Sequence, residues 1–200
     1  MTLASVDDAV AALLAGEVVV LPTETVYGLA ALPTATERIF ALKGRGPDVP
    51  LAVLCADGDQ ALALVDDPSD AVARVAKELW PGPLTLVLPR RPGLGYELGE
   101  PATTIGVRCP DHALVQAITA QVGPIAASSA NLHGHPTPDT AAEAARVFGA
   151  GVAAVVDGGR CEGEPSTVVD ATDPDPARWR VLRQGALTIE DVLATGRDRP

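Results

Sequence analysis

The chain has 200 residues, 47% hydrophobic and 20% charged, with 15 Lys plus Arg against 26 Asp plus Glu and a net charge of −11. That length has room for one large domain or two small ones and for a real core, the apolar share excludes a disordered chain, and the acidic balance is the wrong sign for tight general binding to a phosphate backbone, though it leaves room for a small local basic pocket. No apolar run approaches the ~20 residues of a membrane span, and the N-terminus MTLASVDDAV has no basic or signal-like stretch, so a cytoplasmic protein without membrane contact is expected.

In chain order, Val6 to Ala15 has helical spacing, with Ser5 as N-cap and Asp7 and Asp8 in the first turn. Val18 to Leu21 reads as a buried strand stopped by Pro22. Thr34 and Glu37 form a capping box that opens a helix through Ile39 and Leu42. Leu51 to Cys55 is a second buried strand, and Asp70 to Leu79 is an amphipathic helix broken at Pro81-Gly82-Pro83. Strands follow at Leu84 to Leu88 and Thr104 to Val107, then a helix from Asp111 to Ala120 and a short strand from Ile125 to Ala127. Thr140 and Glu143 open a helix to Val147. Val152 to Val156 is a strand, and Asp157 to Gly163 is a glycine-rich turn. Thr167 to Val169 and Trp179 to Leu182 are short strands, and a last helix starts near Thr188. Alternating strands and helices predict a single α/β domain over residues 1–200, with its core over about 5–195 and a frayed tail at 196–200. Two strands between Leu84 and Val107 with no helix between them predict a mixed, twisted sheet.

Cys55, Cys109 and Cys161 are odd in number and far apart, so they indicate neither a disulfide framework nor a zinc knuckle. His133 and His135 flank Gly134 with no second ligand cluster nearby, and are read as structural or solvent-facing. No metal-ligand set is indicated.

Four polar segments carry chemistry. Pro22 to Leu29 follows a buried strand, where α/β proteins build sites, though its hydroxyls also suit a strand-ending turn. Lys43-Gly44-Arg45 sets two cations around a glycine and suits a polyphosphate. A helix C-terminus attracting cations accounts equally for Lys43, less so for Arg45. Ser128-Ser129-Ala130-Asn131 lets a ligand approach the backbone, or caps a turn. Gly158-Gly159 through Thr167 can present backbone N–H groups to an anion, but neither a P-loop nor a dinucleotide fingerprint is present. Arg108, at the end of a strand, is a candidate carboxylate clamp or a surface ion pair. With no covalent nucleophile indicated, the pattern fits a site that binds and positions charged ligands.

PTETVYGL (Pro22 to Leu29), KGR with a following PL (Lys43 to Leu51), PGPLT (Pro81 to Thr85), TIGVRCP (Thr104 to Pro110), SSANLHG (Ser128 to Gly134), STVVD (Ser166 to Asp170) and RQG (Arg183 to Gly185) stand in order. Together they resemble the YrdC-type threonylcarbamoyl-AMP synthase family. His133 stands where that family often has a second serine, Ser128 where proline is common, and Gly46 displaces the usual proline to Pro47. The resemblance implies a twisted open α/β sheet around a concave cavity, in the short single-domain form. It implies that L-threonine, bicarbonate and ATP, with Mg²⁺ on the phosphates, give threonylcarbamoyl-AMP and pyrophosphate. The product would pass to the tRNA threonylcarbamoyl transferase complex that modifies adenosine 37. It further implies that Thr23, Arg108, Ala127 and Ser166 hold threonine, that Lys43 and Arg45 take phosphates, and that Thr104, Ser129, Asn131, Thr137 and Arg183 surround the nucleotide, with no side chain in a covalent catalytic role. The rival readings are an RNA-binding or ribosome-associated module, which the charge disfavours, and a carbamoyl-transfer domain like that of hydrogenase maturation proteins.

Overall fold

The computed structural model describes residues 3–196. The tail expected at 196–200 lies, beyond Gly196, outside the described residues. Strands β1 (Val19–Leu21), β2 (Gly28–Ala31), β3 (Ala52–Leu54), β4 (Leu84–Pro89), β5 (Thr104–Arg108), β6 (Ile125–Ser129), β7 (Ala154–Val155), β8 (Thr167–Asp170) and β9 (Arg180–Arg183) form one nine-stranded open sheet in the order β7-β1-β2-β6-β3-β5-β4-β8-β9. The sheet is mixed, as expected. β1 runs parallel to β7, β3 to β5 and β4 to β8, and the other neighbours are antiparallel.

The helices are α1 (Val6–Leu14), α2 (Glu37–Lys43), α3 (Gly58–Leu62), α4 (Asp70–Leu79), α5 (Ala113–Val122), α6 (Ala141–Phe148) and α7 (Ile189–Gly196). Ser5 caps α1 in a full capping box with Asp8. The expected Thr34–Glu37 box does not form. α2 starts at Glu37 behind Thr36, whose hydroxyl instead donates to Glu97 O and ties the helix entry to a distant loop. β2 and α3 were not expected. Gly28–Ala31 is four residues long, and α3 is a five-residue helix capped by Asp57, so neither offers a periodic run to read. The strand at 125 extends two residues further, to Ser129.

Strand alternation divides the buried side chains into two cores. Val53, Ile105, Val107, Leu84 and Leu86 join Ile39 of α2, Val72 and Val75 of α4, Phe148 of α6 and Val192 of α7. On the opposite face, Val19, Leu21, Ala30, Leu54, Ile125 and Ala127 pack under Ala9 and Leu13 of α1 and Val115 and Ile118 of α5. The second cover is incomplete. Thr85, Val87, Thr104, Gly106, Arg108 and Val168 point to that same face but belong to neither core and line a cavity. The bare half of the sheet, over β3, β5, β4 and β8, is the cavity floor. No helix among the described residues is long and apolar enough to cross a membrane.

Candidate active site

The cavity holds about 360 Å³, within the range of small-molecule sites. Of the residues singled out from the sequence, Thr23, Arg45, Thr104, Arg108, Ala127, Ser129, Thr137, Ser166 and Arg183 line it. Segments far apart in the chain converge here because β6, β3, β5, β4 and β8 are consecutive neighbours in the sheet.

Three guanidinium groups face one space. Arg108, 5% exposed, closes β5. Its Nε donates to Gly82 O at 3.3 Å, its Nη2 donates to Thr25 Oγ1 at 3.0 Å, and Nη2 lies 2.7 Å from Glu24 Oε1. Thr23 Oγ1 donates its single proton to Val26 O at 2.6 Å, so at the 2.9 Å contact between the two hydroxyls Thr25 is the donor. A directed chain therefore runs from Arg108 through Thr25 and Thr23 to the backbone, fixing the Thr23–Val26 turn. Arg183 donates from Nη2 to Ser166 O and Oγ at 2.9 and 3.0 Å, and Ser166 Oγ lies 2.9 Å from Thr85 Oγ1. Burial, and then the charge of Arg108, push the Arg183 pKa down, but a guanidinium stays charged through such shifts. Arg45 donates from Nη2 to Ser128 Oγ at 3.1 Å, and its buried Nε has no partner among the described residues.

Lys43 is placed differently. It ends α2 at 3% exposure and is not a cavity wall. Its Nζ donates to Ser129 O at 2.5 Å, Asn131 O at 2.8 Å and Asn131 Oδ1 at 3.0 Å, which uses all of its N–H groups. Asn131 is likewise not a wall residue. Its Oδ1 also accepts from Ser129 Oγ at 2.6 Å, and its Nδ2 donates to His135 O at 2.6 Å. The two together hold the 129–135 turn that presents Ser129. Burial first, and Arg45 second, lower the Lys43 pKa to about 8. Gly44, left-handed at φ 61°, ends α2 and lets the next residue turn into the cavity, so the two cations of the KGR segment have separate destinations.

Val49, Pro50, Leu98 and Leu182 also line the cavity and give it apolar lips, with Leu182 57% exposed. Single hydrophobic residues in loops and an edge strand carry no sequence signal for this. Glu24 and His112 were missed for another reason. Each is one polar residue in a polar stretch, and only the fold puts Glu24 on Arg108 and buries His112 Nδ1 without a partner. Burial lowers the His112 pKa, against the opposing charges of Glu24 and Asp111. Burial pushes the Cys55 thiol pKa up and that of Cys109 up to about 12, so both are inert small core residues. His133 and His135 are exposed, and no group of three metal-ligating side chains occurs among the described residues.

Gly185 holds two walls together. A Cβ there would lie 2.6 Å from Ser166 C and 2.8 Å from Ser166 O, besides meeting Pro165 O. Gly185→Ala is expected to push the Ser166 strand away from Arg183. Overpacking of this kind costs about 1–3 kcal/mol, a fall in Tm of roughly 2–10 °C. Thermal unfolding together with ligand affinity checks this. An unchanged Tm with unchanged affinity would show that the wall gives without consequence.

The chain as a whole is similar to known proteins. The Sua5/YciO/YrdC family, described as "Telomere recombination", matches residues 11–185. The chain is 40% identical over 192 residues to a threonylcarbamoyl-AMP synthase of Bacillus subtilis, covering 93% of this chain and 55% of that protein. It is 36% identical over 182 residues to one of Photobacterium profundum, covering 88% of this chain and 96% of that protein. Pyrococcus abyssi Sua5 complexed with L-threonine superposes at TM-score 0.87 with 36% identity, covering 95% of this chain and 57% of that one. Escherichia coli YciO superposes at 0.82 with 26% identity, covering 92% and 91%. The chain thus spans just over half of the Bacillus and Pyrococcus proteins and nearly all of the Photobacterium one. Full-length HypF in its phosphate- and nucleotide-bound form shares the fold alone, at 18% identity and TM-score 0.73. With the matched region holding every wall of the cavity, the chain belongs to the Sua5/YciO/YrdC family.

Proposed function

We propose that the cavity makes threonylcarbamoyl-AMP and pyrophosphate from L-threonine, bicarbonate and ATP, for threonylcarbamoylation of tRNA adenosine 37. The observation that carries this reading is the convergence of Arg45, Arg108 and Arg183 on one cavity of a chain whose net charge is −11. Such concentration of charge suits several anionic groups held together. The threonine α-ammonium gives up a proton, and the resulting amine forms an N–C bond to the bicarbonate carbon as water leaves. A carbamate oxygen then attacks the α-phosphorus, and the bond to pyrophosphate breaks. None of these steps needs a protein nucleophile, so the chain's task is positioning and charge stabilisation.

In this reading Arg108 takes the threonine carboxylate, with Thr23, Ala127 and Ser166 around the rest of the amino acid. Arg45 meets the phosphates, and Thr104, Ser129, Thr137 and Arg183 line the nucleotide end. Lys43 and Asn131 act through the turn they fix. Mg²⁺ enters on ATP as part of the substrate, since the walls offer guanidiniums and hydroxyls and no carboxylate cluster. A soluble cytoplasmic enzyme that hands its product to a tRNA-modifying transferase completes the reading.

Pyrophosphate release from ATP and bicarbonate, with and without L-threonine, tests it directly. Threonine-dependent release is expected, and release without an amino acid would reject the reading. L-valine should be used far less well than L-threonine, because a pocket that hydrogen-bonds a hydroxyl leaves its own groups unpaired when an isostere lacking it enters. Comparable kcat/KM for the two would remove the specificity. Arbitrary duplex RNA should not bind in the submicromolar range at physiological salt. A filter-binding titration giving such affinity would favour an RNA-binding module instead.

A further inference from the structure

Gly106 is a glycine that the fold does not require. It stands in the middle of β5, between β3 and β4 in the sheet. Its register is unbroken on both sides, with Ala52 on one partner strand and Val87 on the other, so it marks no bulge. Its φ is not positive. A Cβ added there would have Thr85 Cγ2 at 3.6 Å and Ala52 Cα and Cβ at 3.8 and 3.9 Å, ordinary van der Waals contacts. Gly28 differs, since a Cβ there would press on Ser128 O at 3.3 Å. A glycine inside a strand weakens it. Where neither a bulge nor a neighbouring backbone accounts for the missing side chain, close approach of a ligand does.

The place of Gly106 says which part of a ligand comes close. Thr104, Gly106 and Arg108 alternate onto the cavity face of β5, each about 6.6 Å from the next. β5 is interior to the sheet, yet Gly106 is only half-buried, because the cavity lies over it. Its N–H and C=O lie in the sheet plane, so what it presents to the cavity is the lack of a side chain. Resting on the reading of the cavity as a threonylcarbamoyl-AMP synthase site, we infer that the carbamoyl group lies flat on Gly106 as it joins the α-phosphate. Arg108 holds the carboxylate at one end and Thr104 borders the nucleotide at the other, so the N–C–O–P link passes over the residue midway. A carbamate is planar, and bare strand lets it lie close. A methyl group would lift it out of line with the bond from the α-phosphorus to pyrophosphate. Threonine or ATP bound alone need not reach this point, so Gly106 acts where the two halves meet.

The test uses Gly106→Ala in the full chain. It combines calorimetric binding of L-threonine and of ATP, each alone, with single-turnover formation of threonylcarbamoyl-AMP in the presence of bicarbonate. Both affinities should match wild type, while the single-turnover rate falls roughly 100-fold, the scale of a ~1 Å misplacement. The Tm should hold or rise, since alanine has less backbone freedom to lose than glycine. Gly106→Val, the better strand former, should be slower still. An unchanged rate in Gly106→Ala overturns the role. So does a loss of rate in step with a lowered Tm, which marks a packing defect, and so does a matching loss of threonine or ATP affinity, which puts Gly106 under that ligand alone. In each of these cases wild type still makes the adenylate, so the role of Gly106 falls by itself. Wild type that binds both ligands yet forms no threonylcarbamoyl-AMP overturns the reaction reading itself.

Discussion

Arg108→Lys should raise the KM for L-threonine by roughly 10–100-fold, from loss of a charge-assisted contact of about 1.5–3 kcal/mol. The ATP KM should change much less. The reason lies in shape. The guanidinium reaches Gly82 O with Nε, Thr25 Oγ1 and Glu24 with Nη2, and still has Nη1 to offer. A lysine ammonium cannot span those directions from one point. Because Arg108 is buried, the variant also leaves Thr25 and Glu24 without their partner, so a modest fall in Tm is expected alongside. Steady-state kinetics with each substrate varied in turn decides the matter. A variant impaired only toward ATP would move Arg108 from the amino acid to the nucleotide.

Lys43→Ala should cut kcat/KM for ATP by roughly 10–100-fold and also lower the Tm, because it strands buried acceptors at about 1–3 kcal/mol each. The acceptors are Ser129 O, Asn131 O and Asn131 Oδ1. Arg45→Ala should give a similar kinetic loss with little change in Tm, since among the described residues its guanidinium has one hydrogen-bond partner, the Ser128 hydroxyl. The paired measurement separates a cation that shapes the wall from one that meets the ligand. Equal Tm effects would erase that distinction. The Lys43 pKa of about 8 adds a pH signature. Below pH 8 the ammonium is charged and keeps its full set of donors. Above it the amine loses a proton, a donor and the positive field, so kcat/KM for ATP should fall as pH rises through 8, that parameter reporting the free enzyme. The same limb should be missing from Lys43→Ala.

What the sequence disclosed follows from which physical signals are local. Capping by Ser5, the apolar stripe of 70–79 and the buried runs at 51–55 and 84–88 are written in neighbouring residues, and each formed close to its expected place. Thr34 with Glu37 had the spacing of a capping box, but the contact of Thr36 with Glu97 moved the helix start, a tertiary effect no local pattern carries. The polar segments after strands marked most of the cavity, since strand ends gather where the sheet gathers them. The two cations of KGR looked equivalent in sequence. A helix end and one left-handed glycine sent Lys43 to the inside of the wall and Arg45 to its surface. Glu24 stood in plain view within PTET, but its meaning depends on β5 delivering Arg108 to within 2.7 Å.

The order of strands in the sheet also constrains how the protein comes to be made. β1 pairs with β7, Val19 beside Ala154, and β4 pairs with β8, Leu84 beside Thr167. Thr23 leaves the ribosome early, whereas Ser166 and Arg183 are among the last parts of the cavity to be synthesised. Contacts so distant along the chain must close large loops before they return any energy, and this slows folding. A nascent chain halted before β8 would expose the edge of β4 and the unroofed floor of the sheet, an open invitation to strand pairing between molecules. The full set of cavity walls therefore exists only once synthesis has passed Arg183, so any nascent chain shorter than that lacks part of the site.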